Sequence, residues 1–339
     1  MKHWSKYRPF FLAAMLAVTL LTPRPAKSAN VNLTILGLFP GSSMQQRAEA
    51  IAEAIRKSTP YNVTAKTSRP GAKHIMAAAN DVNTMVVSLS PAFLSQKVLM
   101  QAAPKDIPKF KVSALMPTTM KAFLFFVYKD LPFESLSEMI AKKVPVKMID
   151  GGGSAKLANE ILFQEVYGIP LSDVEKWGGK LHHSAGGPAA IPLLQEGQAN
   201  VHMVYTGGSF QVWEEFNATH PIKFLPVAQD EAELEKVKKA LPGFIRFHWA
   251  PTRSKLIPAP VPTIGFSEQL WVNPGLDAEV VYNIAKAVIA NKKLLISLEP
   301  SFATVLNDPV QMVEYTKSDP LVPMHPGAER YYKEQGWIK

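Results

Sequence analysis

Four short loops in this sequence combine glycine, serine and threonine in a way that suits the binding of a small anion. They span residues 40–45, 69–74, 150–156 and 206–210, and each follows a stretch with the composition of a β-strand. Glycine lets the backbone approach a ligand closely, and the N–H groups at a helix start carry a partial positive charge. Hydroxyl groups add further hydrogen-bond donors. The pattern predicts a site for a carboxylate or a similar small anion.

The candidate ligand-binding residues are the small and polar positions of these loops, one further hydroxyl, and two lysines that could balance the charge of an anion. The hydroxyl is that of Ser90, and the lysines are Lys73 and Lys156. For any single loop the alternative is a turn with a helix cap, and for each lysine it is a solvated position on a helix. The loop positions are Gly41, Ser42, Ser43, Gly71, Ala72, Gly152, Gly153, Ser154, Thr206, Gly207 and Gly208.

Strands and helices alternate along most of the chain, which predicts an α/β fold with mostly parallel sheets. Helical spacing of apolar residues predicts helices at 44–57, 155–167 and 277–291. Short apolar or alternating runs predict strands at 31–38, 61–67, 84–89, 144–149 and 201–205.

Two longer apolar runs, 112–128 and 258–273, predict strands that cross between two lobes. Two crossings make both lobes discontinuous in sequence. We predict that residues 30–116 and 265–339 form lobe one and that residues 117–264 form lobe two. The candidate loops then lie on both lobes and face each other across a cleft, which predicts closure around a ligand by bending at the two crossings.

The N-terminus has the three parts of a secretory signal peptide. A basic start precedes an apolar run at 10–21, and a stretch rich in small residues follows it. We expect cleavage near Ser28 or Ala29, so that residues 1–29 are the signal and the mature protein is periplasmic. The alternative is an uncleaved membrane anchor, which would require about 20 apolar residues.

The charge of the chain argues against a nucleic-acid partner once this segment is removed. The whole chain has 37 Lys and Arg and 28 Asp and Glu. Five of the basic residues and none of the acidic ones fall in residues 1–28, which leaves 32 against 28. A surface that is only mildly basic does not favour binding to a polyanion.

Several catalytic and cofactor patterns are missing from the sequence. The glycine run at 151–153 lacks the G-x-G-x-x-G spacing of a dinucleotide site and the G-K-[ST] ending of a P-loop. There is no H-E-x-x-H motif, no G-x-S-x-G elbow and no cysteine. We therefore expect a binding protein with no catalytic residue, no metal and no cofactor. A periplasmic enzyme and a ligand-free adhesin or scaffold on the same fold are the alternatives.

The C-terminal segment 323–334, P-M-H-P-G-A-E-R-Y-Y-K-E, resembles the usual ending of TAXI-type solute receptors of tripartite ATP-independent periplasmic (TRAP) transporters. The segment 261–265, the loop at 152–154, and Gly197 followed by 201–208 are similar to the second crossing and second lobe of that family. In the first lobe, by contrast, Arg69-Pro70-Gly71-Ala72 resembles the receptors of tripartite tricarboxylate transporters.

Either resemblance implies the type II periplasmic-binding-protein architecture, with two lobes on a two-strand hinge. It also implies an organic acid as ligand and an integral-membrane permease as partner. For the TAXI-type receptors that permease is of the TRAP type and is driven by an ion gradient. A monomer is expected.

Overall fold

The computed structural model describes residues 31–183, 187–206, 211–249, 256–257 and 259–338. The predicted signal segment 1–29 lies outside the described residues. The strands are β1 (Asn32–Leu36), β2 (Asn62–Lys66), β3 (Thr84–Val87), β4 (Ser113–Tyr128), β5 (Lys147–Ile149), β6 (Lys180–His182), β7 (Val201–Thr206), β8 (Ile222–Leu225), β9 (Ile245–Trp249) and β10 (Val261–Val272).

The helices pack on both faces of the strands, as the alternating sequence pattern predicts. Short 3₁₀ turns occur at Pro104–Lys109, Gly187–Ala190 and Pro300–Phe302, and a π-helical turn at Leu162–Val166. The α-helices are α1 (Ser43–Ser58), α2 (Ala72–Asn80), α3 (Ala92–Ala102), α4 (Leu136–Ala141), α5 (Gly153–Ile161), α6 (Asp173–Lys176), α7 (Ile191–Gln195), α8 (Gln211–Thr219), α9 (Glu231–Ala240), α10 (Ala278–Ala290), α11 (Lys292–Leu298), α12 (Ala303–Leu306), α13 (Pro309–Lys317) and α14 (Pro326–Glu334).

One mixed sheet connects all ten strands, in the order β2-β1-β3-β10-β4-β7-β5-β6, with β8 added to β4 and β9 to β10. Strands β2, β1 and β3 are parallel to one another, and so are β7, β5 and β6. The long strands β4 and β10 are antiparallel to each other and join the two parallel sets. This arrangement confirms the predicted α/β fold and both predicted long strands. The predicted parallel pairing holds within the two outer sets, whereas the five pairings made by β4 and β10, out of nine in all among the described strands, are antiparallel.

Two apolar cores lie on the two sides of the crossing strands, and Leu94 of α3 packs into the second of them. One core packs α1 and α10 onto β1 and β3 around Ile35, Ile51 and Ile284. Another packs α5 and α9 against the second half of β4 and includes Phe125 and Leu162. Both cores are fully buried, so each parallel set has its own hydrophobic support. The exact division into lobes at residues 116 and 264 stays a prediction.

The C-terminal tail packs against the first core through its aromatic residues. Tyr332 is buried and donates its hydroxyl to the Leu115 carbonyl oxygen at 3.0 Å. The His325 imidazole caps α14 by accepting the Gly327 N–H at 3.2 Å. A β-carbon at Gly327 would lie 2.2 Å from the Ala278 carbonyl oxygen, so only glycine lets α14 approach α10 this closely. Packing of the tail therefore accounts for Tyr332, His325 and Gly327 of the segment 323–334.

No helix in the described ranges is long and apolar enough to cross a lipid bilayer.

Candidate functional site

The carboxyl ends of the two parallel sets of strands point towards each other. They lie beside the middle of the crossing strands β4 and β10. Strand β3 runs in the same direction as β4, because both are antiparallel to β10, whereas β7 runs opposite to β4. Val87 at the end of β3 is opposite Leu270, which pairs with Met116. Thr206 at the end of β7 pairs with Ala122. Six residues of β4 span about 20 Å, so the two sets of strand ends face each other across a gap of that order.

A cavity of about 600 Å³ lies in this gap. Its size is in the range of sites for small organic ligands. The loop before α2, the residues after β3, and one residue of α3 line it from one side. The loop after β5, the start of α5 and the end of β7 line it from the other. The described lining residues are Pro70, Gly71, Ile75, Leu89, Ser90, Val98, Gly151, Gly152, Gly153, Ser154, Ala155, Met203, Val204 and Tyr205.

Five of the residues predicted from sequence meet in this cavity. They come from three separate segments of the chain, which only the fold brings together. Ala72, the first residue of α2, directly follows the lining residue Gly71 but does not itself line the cavity. The five residues are Gly71, Ser90, Gly152, Gly153 and Ser154.

The first predicted loop does not reach the cavity. Gly41 and Ser43 are exposed, and the Ser42 hydroxyl caps α1 by accepting the Gln45 N–H at 3.2 Å. This loop is therefore a turn with a helix cap, which was the alternative to a ligand-binding loop. A serine directly before an amphipathic helix is the usual helix cap, and its sequence cannot be told from that of a ligand loop.

Neither predicted lysine lines the cavity. Lys73 is exposed on α2. The Lys156 ammonium lies 3.8 Å from Glu160 and 4.0 Å from Asp150, and it lines a separate, more polar cavity of about 510 Å³. Thr206 is partly buried at the end of β7 and does not line the site. The predicted residues Gly207 and Gly208 lie outside the described residues.

The helices α2 and α5, whose first turns border the cavity, both lack a side-chain cap. Their N-cap residues are Gly71 and Gly152, and neither helix start receives a hydrogen bond from a capping side chain. The backbone at these glycines has φ of +125° and +64° with extended ψ, a region that only glycine occupies readily. The unpaired N–H groups of the two first turns are thus free to meet an acceptor from the cavity.

In the other helices of nine or more residues whose N-cap residue is described, a side chain accepts at least one N–H of the first turn. Ser42, Asp230, Asp277, Asp308 and His325 cap α1, α9, α10, α13 and α14. Helix α3 begins at a proline, but Asp319 accepts its Ala92 N–H at 2.6 Å. Among the described helices of this length, the two uncapped starts both border the cavity, from opposite sides, where an anion would satisfy both. The shorter helices α6, α7, α11 and α12 also lack a side-chain cap and do not border the cavity.

A buried carboxylate shapes the second of these loops. Asp150 is fully buried and accepts the Gly152 N–H at 3.3 Å, and its second oxygen contacts the His183 imidazole. The Asp150 carbonyl oxygen accepts the Asn159 side-chain amide at 3.1 Å. These bonds hold the glycine loop in one conformation before any ligand arrives. Sequence reasoning placed Asp150 at the loop start but gave it no role.

The apolar residues that line the cavity and the Tyr205 hydroxyl were not predicted from the sequence. Ile75 on α2 and Val98 on α3 show only ordinary helical periodicity, and Met203 lies inside a strand. Tyr205 lies near the end of β7, and its position at a strand end was the one available signal. Its hydroxyl donates to the Ser154 carbonyl oxygen at 3.3 Å, and burial raises the pKa of that hydroxyl well above its ordinary value. Tyr205 therefore stays protonated and braces the start of α5.

The described residues include no cluster of three or more His, Cys, Asp or Glu side chains that could hold a metal ion. The cavity lining contains no histidine, no carboxylate and no lysine among those residues. What the lining offers is backbone N–H groups, hydroxyl groups and apolar surface, which suits binding.

The curled mixed sheet, the two crossing strands and the cavity between the strand ends define the type II fold of periplasmic binding proteins. The chain belongs to the NMT1-like family, whose model matches residues 47–336.

Two solved structures are similar over nearly the whole chain. A TctC solute binding protein from Polaromonas is 15% identical, with a TM-score of 0.50, over 91% of this chain and 98% of that chain. MatC from Rhodopseudomonas palustris, solved with bound malate, is 13% identical, with a TM-score of 0.51, over 90% of this chain and 99% of that chain. At these identities the similarity establishes the fold.

Proposed function

We propose that this protein is a non-enzymatic solute receptor that binds a small organic anion, a carboxylate, in the cavity between the two sets of strand ends. The observation that carries this proposal is the pair of uncapped helix starts, α2 and α5, on opposite sides of one cavity. Each start presents free N–H groups and a partial positive charge. The receptor function agrees with the names of the two similar structures.

The receptor is proposed to act in the periplasm, after export by the N-terminal segment, and to deliver its ligand to a secondary-transporter permease. Two finer assignments of that permease are supported by different residues. The tail at 323–334 favours a TRAP transporter with a TAXI-type receptor, whereas Arg69-Pro70-Gly71-Ala72 favours a tripartite tricarboxylate transporter. Because packing explains much of the tail, the motif that borders the cavity is the better guide to transport type.

Truncation of the Ser154 hydroxyl tests the site. Ser154 lines the cavity in the first turn of α5, so Ser154→Ala should weaken carboxylate binding by about 1 kcal/mol, or roughly fivefold. Gly153→Val should reduce affinity more, since Gly153 has φ of +52° and a branched side chain there strains the loop that presents the N–H groups. Calorimetry on refolded protein with a carboxylate panel (malate, 2-oxoglutarate, hexanoate) provides the measurement.

Ser42→Ala is the matched control, because it removes a serine hydroxyl at a helix start that does not border the cavity. It should lower the free energy of unfolding by about 1 kcal/mol through loss of the α1 cap, with carboxylate affinity unchanged. Equal affinity of Ser154→Ala, Gly153→Val and wild type would remove the proposed site. A loss of affinity in Ser42→Ala alone would restore the first loop as a ligand loop.

We further propose that ligand binding closes the two halves by bending at β4 and β10. A ligand that contacts Gly71 and Ser154 together favours the closed form, because only that form offers both sets of contacts. The chain has no cysteine, so Met100→Cys on α3 and Lys236→Cys on α9 would be unique sites for spin labels. We expect a shorter label distance and a smaller radius of gyration at saturating ligand. If neither quantity changes, the protein is a rigid binder.

A further inference from the structure

The cavity between the strand ends holds no charged side chain among its fourteen described lining residues. The two lysines nearest to the helix starts in sequence are directed elsewhere, since Lys73 is exposed and Lys156 pairs with Asp150 and Glu160. The described part of the lining therefore offers an anion only neutral donors.

These donors lie at the two helix starts on opposite sides of the cavity, and they can meet on a single carboxylate when the two halves close. Among the described lining residues, the groups without an acceptor are the Ser154 hydroxyl, the backbone N–H groups of the first turns of α2 and α5, and those of Leu89, Ser90 and Gly151. The other two hydroxyls are engaged: Ser90 lies 3.2 Å from the Ser95 hydroxyl, and Tyr205 donates to the Ser154 carbonyl oxygen. Away from the two helix starts, a second carboxylate would find only the backbone N–H groups of Leu89 and Ser90 and no charged side chain among the described lining residues.

The rest of the lining is aliphatic. Ile75, Leu89 and Val98 contribute from one side, and Met203, Val204 and Ala155 from the other. When the halves close, a charged group placed against such a surface loses its hydration without compensation, which is strongly unfavourable. An alkyl chain in the same place binds favourably, and each buried methylene group raises the affinity roughly fourfold.

We infer that the physiological ligand is a monocarboxylate with an apolar body of about five or more carbons, rather than a di- or tricarboxylate. This inference rests on the proposed receptor function and narrows it. It implies a different ligand class from that of MatC, whose structure holds the dicarboxylate malate. The carboxylate lies at the starts of α2 and α5, and the apolar body lies against Ile75, Leu89, Val98 and Met203.

A matched pair of ligands tests the inference. Hexanoate and adipate have the same carbon chain and differ in the second carboxylate. Calorimetry on the refolded mature chain should show hexanoate binding at least 100-fold tighter than adipate. Affinity should also rise about fourfold per methylene group from butanoate to hexanoate. Adipate or malate binding as tightly as hexanoate would overturn the inference and leave the receptor function intact. If no member of either series binds, the proposed receptor function itself is overturned.

A specificity switch provides a second, independent readout. Val98→Lys places an ammonium group in the aliphatic wall, so it should weaken hexanoate binding and tighten adipate binding by tenfold or more. Met100→Lys, on the same helix at a position that is 55% exposed and outside the cavity, is the control and should change neither affinity. A Val98→Lys variant that folds, as judged by its thermal unfolding, but keeps the wild-type preference would show that the ligand body does not lie against this wall.

Discussion

Replacing Glu268 by glutamine should lower the free energy of unfolding by about 3 to 5 kcal/mol, because it leaves buried cations without their main partner. The Glu268 carboxylate on β10 lies 2.5 Å from the Arg47 guanidinium on α1 and 3.8 Å from the Lys121 ammonium on β4. Arg47 is only 1% exposed. Burial already lowers the pKa of Lys121, and the nearby Glu268 charge opposes that shift. Chemical denaturation followed by circular dichroism measures the loss.

A matched control lies on the same helix as Arg47. Glu53 pairs with Arg56 at 2.7 Å, but both side chains are about half exposed. Glu53→Gln should therefore change stability by less than about 0.5 kcal/mol. Comparable losses for Glu268→Gln and Glu53→Gln would mean that the buried cluster is solvated or repacks easily.

The position of this cluster connects stability with the proposed closure. Lys121 and Glu268 belong to the two crossing strands, in the stretch between the carboxyl ends of β3 and β7. Glu299 and Ser301 extend the cluster to the turn before α12, with the Arg47 guanidinium donating to the Ser301 hydroxyl at 3.2 Å. The cluster thus ties α1 and this turn to the middle of both crossing strands.

Lowering the pH from 7.5 to 4 should destabilise the wild-type protein by about 3 kcal/mol more than a His202→Phe variant. His202 on β7 is fully buried, and its ring lies 5.0 Å from Phe126 and 5.7 Å from Trp213. Burial lowers the pKa of His202 from 6.5 to about 4. Between these values the unfolded chain binds a proton that the native imidazole does not, so stability falls as the pH falls through this window.

The comparison with the variant isolates His202 from other acid-sensitive groups. Burial also lowers the pKa of His74 and His325, and both remain in the variant. Phe126→Leu is the control for packing, because it alters the same apolar cluster without removing a titratable group and should destabilise equally at both pH values. Parallel pH profiles for wild type and His202→Phe, from denaturation at pH 7.5, 6, 5 and 4, would show that His202 is hydrated in the native state.

The sequence by itself determined the class of fold and much of the secondary structure. Helical periodicity over 44–57 and 277–291 predicts α1 and α10 closely, and the run at 112–128 predicts β4. The helices bury one face and the strand lies in the core. Their apolar residues therefore form a clear helical repeat or a long apolar run. The short strands β6, β8 and β9 were not predicted, because three to five residues at the margin of a sheet carry too weak a pattern.

The sequence also predicts the glycines at 71, 152 and 153 that line the cavity, because positive φ and a helix start leave a local signature. Only the tertiary structure decided which loops share one cavity. Ser42 and Ser154 both begin helices after a strand, yet one caps its own helix and the other lines the cavity. The aliphatic wall was likewise decided by the fold, because Ile75, Val98 and Met203 look like core residues in sequence. Whether an apolar side chain faces the core or a cavity depends on what packs opposite it, and that is a long-range property which no local pattern records.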